Sequence, residues 1–559
     1  MNTHTTSSPL HVNSLNATSL NSGLKSSLMG SLDSGPKTVV IGAGMGGLVS
    51  ALLLADAGAQ VTVLETHTEC GGKMRQLRPA AQGVQTGNID NPLQTLESVG
   101  IDSGPTVLTM KWVFEELFAA VGANLDTELV LKKLPVLARH AWSADSGEEQ
   151  LTLYADTLQT QEAIGEFAGA AELHRFNRFC RSAKDLYKAL EGPIIREASP
   201  SAKKLAFALG PRGLATLASI GPMRSLWDSL GGYFKDQRLR QLFARYATYC
   251  GSSPWSAPAT LMLIAQVEMD GVWSVEGGMR ALAKAIERLC IQRGVEFKYQ
   301  TRCSLIELKD GAVSAVQTDR GDRFGADSIV FNGDIQALSS GLLGANVKAL
   351  MPSADVKAER SLSAVTWSMK CKVKEHRFNL DRHNVFFENN YANEFKDIFV
   401  DQKLPATPTV YVCAQQRGLE RDYPSNEQIN ADESIFCLIN APATGDRHAL
   451  TQQELEACKS ATFSLIKRCG LELDLQTAQS IQTLPENFHQ LFPATGGALY
   501  GQATHGWMQV FARAQAKTPI KGLFLAGGSV HPGPGLPMAA MSGRLAGAAA
   551  MDHLGLIKR

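Results

Sequence analysis

Closely spaced metal ligands are absent from this 559-residue sequence. Its ten cysteines stand at 70, 180, 250, 290, 303, 371, 413, 437, 458 and 469, and no two form a C-x-x-C pair. Zinc and iron–sulfur sites need clustered soft ligands, so these residues read as reduced, scattered core thiols. The twelve histidines supply no H-E-x-x-H pattern either, and no metal site is expected. Net charge is lacking too: 54 Lys and Arg balance 54 Asp and Glu. A protein that draws its affinity from phosphate backbones is basic, so nucleic acid is set aside as a partner. The longest uncharged apolar stretch, Val39 to Ala55, is interrupted by Gly42, Gly44, Gly46 and Gly47. That describes a strand, a turn and a helix, and no transmembrane helix is expected. Residues 1–36 carry Lys25 and Asp33 as their only charged side chains, with no arginine and no basic start followed by an apolar run. They read as a disordered tail, not as a secretory signal or a transit peptide.

What is present is core-forming material. With 44% hydrophobic and 19% charged residues, the chain can bury two or three cores, and global disorder is excluded. From Lys37 the sequence runs KTVVIGAGMGGLVSALLLADAGAQVTVLE. An apolar run, Thr38–Ile41, meets a glycine turn, a helix-length apolar segment follows, and a second run, Val61–Leu64, stops at Glu65. This is a β-α-β unit with G-x-G-x-x-G at Gly42, Gly44 and Gly47. Gly42 permits the tight turn, Gly44 lets a pyrophosphate approach the backbone, and Gly47 lets helix and strand pack closely. Glu65 follows Gly44 by 21 residues, where an acid can accept from a ribose hydroxyl.

The bound dinucleotide could be NAD or FAD. A second glycine turn, Cys70-Gly71-Gly72-Lys73-Met74-Arg75, adds backbone donors and two cations, Lys73 and Arg75, for the same pyrophosphate. Near the other terminus, GLFLAGGSVHPGPGLPMAAMSGRLAGAAA (522–550) reads as a strand, a Gly/Pro loop and a helix beginning near Pro537-Met538. A helix start there aims positive dipole at the electron-rich edge of a reduced flavin. Two distant glycine-rich segments around one long cofactor suit FAD better than NAD.

These segments together resemble the carotenoid desaturase family of flavoproteins. The resemblance extends to IDSGPTVLT (101–109), RYATYCGSSPWSAPATLMLIAQVE (245–268) and GVWSVEGGMRALAKAIERL (271–289), so it covers the chain after the tail. Within the family, 102–118 and the RYATYCGSSP run are most similar to bacterial 1-hydroxycarotenoid 3,4-desaturases. The resemblance implies an α/β fold: a Rossmann-type FAD-binding domain from the discontinuous segments 37–80, 270–335 and 500–559. A mixed-sheet substrate domain would come from 95–150 and 336–499, and a helical, membrane-facing subdomain from 155–265. It implies FAD held by Gly42, Gly44, Gly46, Gly47, Glu65, Gly72, Lys73, Arg75, Gly527, Gly528, Ser529, Pro537 and Met538. Relatives often place an acid where this chain has Gly528-Ser529, so backbone or Ser529 would contact the ribitol. The polar stretch between Arg78 and Ile101 reads as a surface excursion.

Residues 203–234 are apolar, poor in acids, and edged by Lys203, Lys204, Arg212, Arg224 and Lys235. This fits a surface entering lipid headgroups, or an ordinary helical cap on the substrate domain; Pro211 and Pro222 forbid one long helix. The implied partners are an acyclic carotenoid, a lipid surface, and an electron acceptor such as oxygen or a quinone. The implied location is the cytoplasmic side of the inner membrane, peripherally attached.

A flavin that takes hydride at N5 needs a substrate carbon against its face and little more from the protein. If that carbon is allylic to a polyene, the developing cation is delocalised and a strong base is not obligatory. Asp102, Arg245, Tyr246 and His531, in segments that the resemblance places around the cavity or the flavin, are the candidates for the proton, each with an alternative structural role. The leading expectation is formation of the C3–C4 double bond of a 1-hydroxycarotenoid. Its rivals are a phytoene-type desaturase or carotenoid isomerase, an FAD amine oxidase, and a non-catalytic flavoprotein escort for prenyl lipids.

Overall fold

The computed structural model describes residues 35–79, 100–144, 147–221, 223–352, 359–418 and 432–557. The tail, most of the Arg78–Ile101 excursion and Pro222 lie outside the described residues.

Lys37–Ile41 is buried on both faces after its first residue, as a central parallel strand must be. It is flanked by Gln60–Leu64 on one side and Ser328–Phe331 on the other, both parallel. Glu296–Lys298 and Leu523–Leu525 complete a five-stranded parallel sheet. Strands distant in sequence thus end at one edge, the carboxyl edge where doubly wound sheets take their ligands. Helices Met45–Asp56 and Leu536–Leu554 pack closely there: a Cβ on Gly543 would lie 2.4 Å from the Gly46 carbonyl. Beside this sheet, Cys303–Lys309 and Ala312–Thr318 form the expected hairpin, turning at Asp310 (φ 51°) and Gly311 (φ 76°).

The second sheet has seven strands, ordered Gln479–Thr483, Ser363–Cys371, Glu433–Ala441, Val410–Ala414, His383–Phe387, Val136–Ala144 and Gly147–Tyr154. It is mixed because His383–Phe387 and Val136–Ala144 run parallel while the other pairs are antiparallel. Helices between Thr157 and Asp270 cover one end. Phe176, Phe179, Phe234 and Phe243 interlock among them at centroid separations of 4.7–5.9 Å, each worth roughly 1.5–3 kcal/mol of burial. Gly210 (φ 57°, ψ −173°), just before Pro211, breaks the Ala202–Ile220 segment into two helical pieces.

One grouping differs from the sequence reading. Leu108, Val113, Phe114, Leu117 and Phe118, grouped by sequence with the mixed sheet, pack into the core of the glycine-turn helix. The apolar face of Lys111–Ala120 drives this, and the chain joins the seven-stranded sheet at Val136.

Candidate active site

The glycine turn is dictated by close approach. A Cβ on Gly47 would meet the Gly42 carbonyl at 2.1 Å, on Gly44 the Asn332 Oδ1 at 2.6 Å, and on Gly46 the Gly527 nitrogen at 2.7 Å. Gly42 adopts φ 97° and its N–H donates to the Leu64 carbonyl at 2.8 Å. The second turn stacks on the first, with Gly72 placed so that a Cβ would sit 3.0 Å from the Gly44 Cα. The buried Glu65 accepts from the Ala43 N–H (2.7 Å) and the His67 N–H (2.9 Å), which holds its carboxylate at the strand end with lone pairs to spare. The Thr301 N–H donates to the Glu65 carbonyl at 2.8 Å, bringing the Thr301–Ser304 segment alongside.

Sequence reasoning missed Asn332. Its Nδ2 donates to the Ala526 carbonyl at 3.0 Å while its buried Oδ1, facing the glycines, has no partner among the described residues. The signal was available, since Asn332 directly follows a core strand of the parallel sheet.

Lys73 donates to the Leu499 carbonyl and lies 5.2 Å from the Phe492 ring centroid. Its side chain keeps accessible surface although protein surrounds it, as a group facing an interior cleft does. Burial pulls its pKa down, against the opposing pull of Asp334. Arg75 lies 5.3 Å from the Phe488 ring, donates to the Ser103 carbonyl at 3.4 Å, and is pulled by burial to about 10. Gly527 (φ 118°) donates its N–H to Ser542 Oγ at 3.1 Å, and Ser529 packs on Gly501. Gly528 lies between them, and Pro537 enters the first turn of Leu536–Leu554.

Between the two sheets and the helices lies a cavity of about 420 Å³. Pro534, Leu536, Pro537 and Met538 wall one side, Val385, Phe436 and Leu438 the sheet side, and Leu190, Ile194, Leu205 and Ile264 the helical side. Of the four proton candidates, Arg245 alone reaches this wall. Asp102 instead accepts from the Met279 N–H (2.8 Å) and Gln76 Nε2 (3.0 Å), behind the wall. Tyr246 donates to Glu268 Oε2 at 2.7 Å. His531 is 2% exposed and its Nε2 pairs with the Glu197 carbonyl at 2.9 Å; burial lowers its pKa.

The wall also brings together groups that motif reading passed over. The Tyr411 hydroxyl lies 2.7 Å from both Thr106 Oγ1 and His383 Nδ1. Burial, aided by Arg382 and Arg245, drives the His383 pKa down to about 3, so the imidazole is neutral. Behind Thr409 and Asn440, the buried carboxyl of Glu394 accepts from both, and burial raises it to about 7.

The stacked glycine turns, Glu65 at the strand end and the unpartnered Asn332 oxygen form a cradle that any Cβ would fill, and it fits a dinucleotide. Residues 45–551 match the family of flavin containing amine oxidoreductases. The chain belongs to that family. It is an oxidoreductase, and its cofactor is FAD. It is 50% identical to the hydroxyneurosporene desaturase of Rubrivivax gelatinosus, over 93% of this chain and 94% of that protein. Identity to the protein of the same name from Cereibacter sphaeroides is 39%, over 93% and 98%. Among solved structures, putrescine oxidase bound to putrescine superposes with a TM-score of 0.57 at 14% identity, covering 92% of this chain and 99% of that one. Cyclohexylamine oxidase from Brevibacterium oxydans superposes with a TM-score of 0.53 at 14% identity, over 93% and 100%. These structures share the fold.

Proposed function

We propose that this protein introduces the C3–C4 double bond into an acyclic 1-hydroxycarotenoid. The observation that carries the reading is the 50% identity, held over 93% of the chain, to a hydroxyneurosporene desaturase. The apolar cavity agrees with it. Segments 37–80, 270–335 and 500–559 would hold the cofactor through Gly42, Gly44, Gly46, Gly47, Glu65, Gly72, Lys73, Arg75 and Gly527–Ser529.

Bound FAD supplies a two-electron oxidant for C–H bonds. The chain's part is to align the polyene and keep water out. Val385, Phe436, Leu438 and Ile264 present hydrocarbon to hydrocarbon, so the chain slides in without leaving polar groups unpaired. Loss of hydride from the allylic carbon leaves charge that the polyene delocalises, and the adjacent proton becomes acidic. The Tyr411 hydroxyl, bridging Thr106 and neutral His383, can take it only as a relay, its own proton passing to His383 Nδ1 as its oxygen accepts the substrate's. An amine substrate is disfavoured because Glu268, the carboxylate on the wall, already accepts a tyrosine hydroxyl on each oxygen.

Entry of a long lipid requires a mouth near a bilayer. Phe207 is 92% exposed on the helix that carries exposed Lys203 and Lys204, and Met223 is 82% exposed next to exposed Arg224. Leu205, on the same helix as Phe207, lines the cavity. We assign this face to the lipid headgroup region on the cytoplasmic side of the inner membrane. No described helix is long and apolar enough to cross a membrane.

The test supplies 1-hydroxyneurosporene in liposomes to the FAD-loaded protein, under argon and then with air or a quinone. A red-shifted polyene spectrum with matching flavin bleaching is expected. The reading falls if that substrate is unchanged while phytoene is converted, or if an amine bleaches the flavin and releases peroxide.

A further inference from the structure

Among the described residues, three charged side chains line the cavity: Arg245, Glu268 and Arg513. Two are committed. Glu268 Oε2 accepts the Tyr246 hydroxyl and Oε1 the Tyr249 hydroxyl, each at 2.7 Å. Arg513 donates to the carbonyls of Tyr500 (3.4 Å) and Gln502 (3.1 Å) and to Thr504 Oγ1 (2.9 Å).

Arg245 is different. It is 8% exposed, and its guanidinium carbon lies 5.0 Å from the Tyr249 ring centroid and 6.0 Å from that of Tyr246. Among the described residues no carboxylate stands at salt-bridge distance; the guanidinium hydrogen-bonds to the Tyr249 side chain, and its buried Nε has no partner. Burial works against its charge, but neighbouring Tyr249, Glu268 and Tyr246 outweigh that effect and keep it protonated. A protonated guanidinium cannot take the substrate's proton. It carries five N–H donors and no acceptor, so what it can bind in an apolar cavity is a lone pair.

We propose that Arg245 is the specificity-determining residue of the cavity, donating a hydrogen bond to the oxygen on C1 of the acyclic carotenoid and selecting oxygenated chains over hydrocarbons. The proposal rests on the desaturase reading and names the group within that site that reads the substrate's end. In such a substrate the bond to be oxidised begins two carbons from the carbon bearing oxygen. The oxygen reader must therefore share a chamber with the flavin-side wall, and Arg245 shares it with Pro534–Met538. The positive charge that develops during hydride loss spreads along the polyene, away from the oxygenated end. Glu268 sits beside Arg245 as counter-charge. A hydrocarbon end would leave the guanidinium with donor capacity unused in a dry cavity, the arrangement that discriminates most strongly against an analogue lacking the polar atom.

Because Arg245 only donates, an ether oxygen should serve nearly as well as a hydroxyl. The experiment compares 1-hydroxyneurosporene, its methyl ether and neurosporene in detergent micelles. Binding is read from quenching of tryptophan emission, with Trp507 on the cavity wall, and turnover from the polyene spectrum. Wild type should favour both oxygenated chains over neurosporene by at least about tenfold. Arg245→Gln should bring the ratio to within about threefold, by loss on the oxygenated chains, and Arg245→Lys should fall between. A merely structural role lowers all three substrates together and leaves the ratio unchanged; a folded Arg245→Gln with the wild-type ratio overturns the proposal. If Arg245→Gln does not fold, Arg245→Lys with an unchanged ratio overturns it equally. Wild type that binds oxygenated chains selectively without oxidising them sinks the desaturase reading and leaves this one standing. Wild type that binds and oxidises all three alike sinks this one alone.

Discussion

The carboxylate of Asp102 accepts the backbone N–H of Met279 at 2.8 Å, tying the segment after the second glycine turn to the start of helix Arg280–Gln292. A Cβ on Gly278 would lie 2.6 Å from Asp102 Oδ1, so this contact is also why glycine stands there. Asp102→Asn should therefore cost stability, about 1–3 kcal/mol, while turnover per bound flavin stays within about threefold. Melting curves and turnover normalised to flavin absorbance check both. A complete loss of turnover in a folded, flavin-loaded variant would return Asp102 to the reaction.

Gly47→Ala places a methyl 2.1 Å from the Gly42 carbonyl, a backbone atom that cannot swing aside. Overpacking of this kind costs roughly 1–3 kcal/mol. If the strain falls on the cradle, FAD affinity drops by about five- to hundredfold. The flavin-to-protein absorbance ratio after gel filtration reports it, and an unchanged ratio would contradict the cradle.

Glu394 gives the stability a pH dependence. Burial raises its pKa from 4.5 to about 7 in the folded protein, against the hydrogen bonds from Thr409 and Asn440. The folded state holds this proton more tightly than the unfolded state, so its contribution is most favourable below the unfolded pKa. Stability is then lost as pH rises through about 7, by on the order of 3 kcal/mol. Glu394→Gln should flatten the melting temperature between about pH 5 and about pH 8. A variant whose profile follows wild type across that range would assign the dependence elsewhere.

Phe207 and Met223 predict a lipid-binding phenotype. Replacing both with serine removes two exposed apolar side chains, each worth about 1.5–3 kcal/mol when buried. Cosedimentation with anionic vesicles should weaken by roughly tenfold or more, and turnover from vesicles should fall further than turnover from micelles. Wild-type and variant proteins that sediment alike would remove this face from the bilayer.

The glycine turn, the parallel strands and the Lys309-Asp310-Gly311 hairpin were legible because their causes are local: a positive φ, a close approach, an alternation of apolar residues. Arg245, Asp102 and His531 sit in equally conspicuous motifs, yet neighbours in sequence do not reveal which of them faces the cavity. That depends on packing between segments hundreds of residues apart. The same holds for Glu394, which has no motif around it, and for Lys111–Ala120, whose apolar stripe fits either core until the partner helices are placed. Asn332 was within reach, since it follows a core strand of the parallel sheet.

Leu523–Leu525, an outer strand of the cofactor sheet, is made long after the central strand Lys37–Ile41. At ~5–20 residues per second, a ribosome needs about 25–100 s to travel between them. During that interval Ser328–Phe331 lacks one neighbour, and the small-residue face of Met45–Asp56 waits for the C-terminal helix that covers it. The protein's biogenesis is thus paced by Leu523–Leu525 and Leu536–Leu554, and a message truncated before them yields a chain with an open sheet edge, a target for chaperones rather than for flavin.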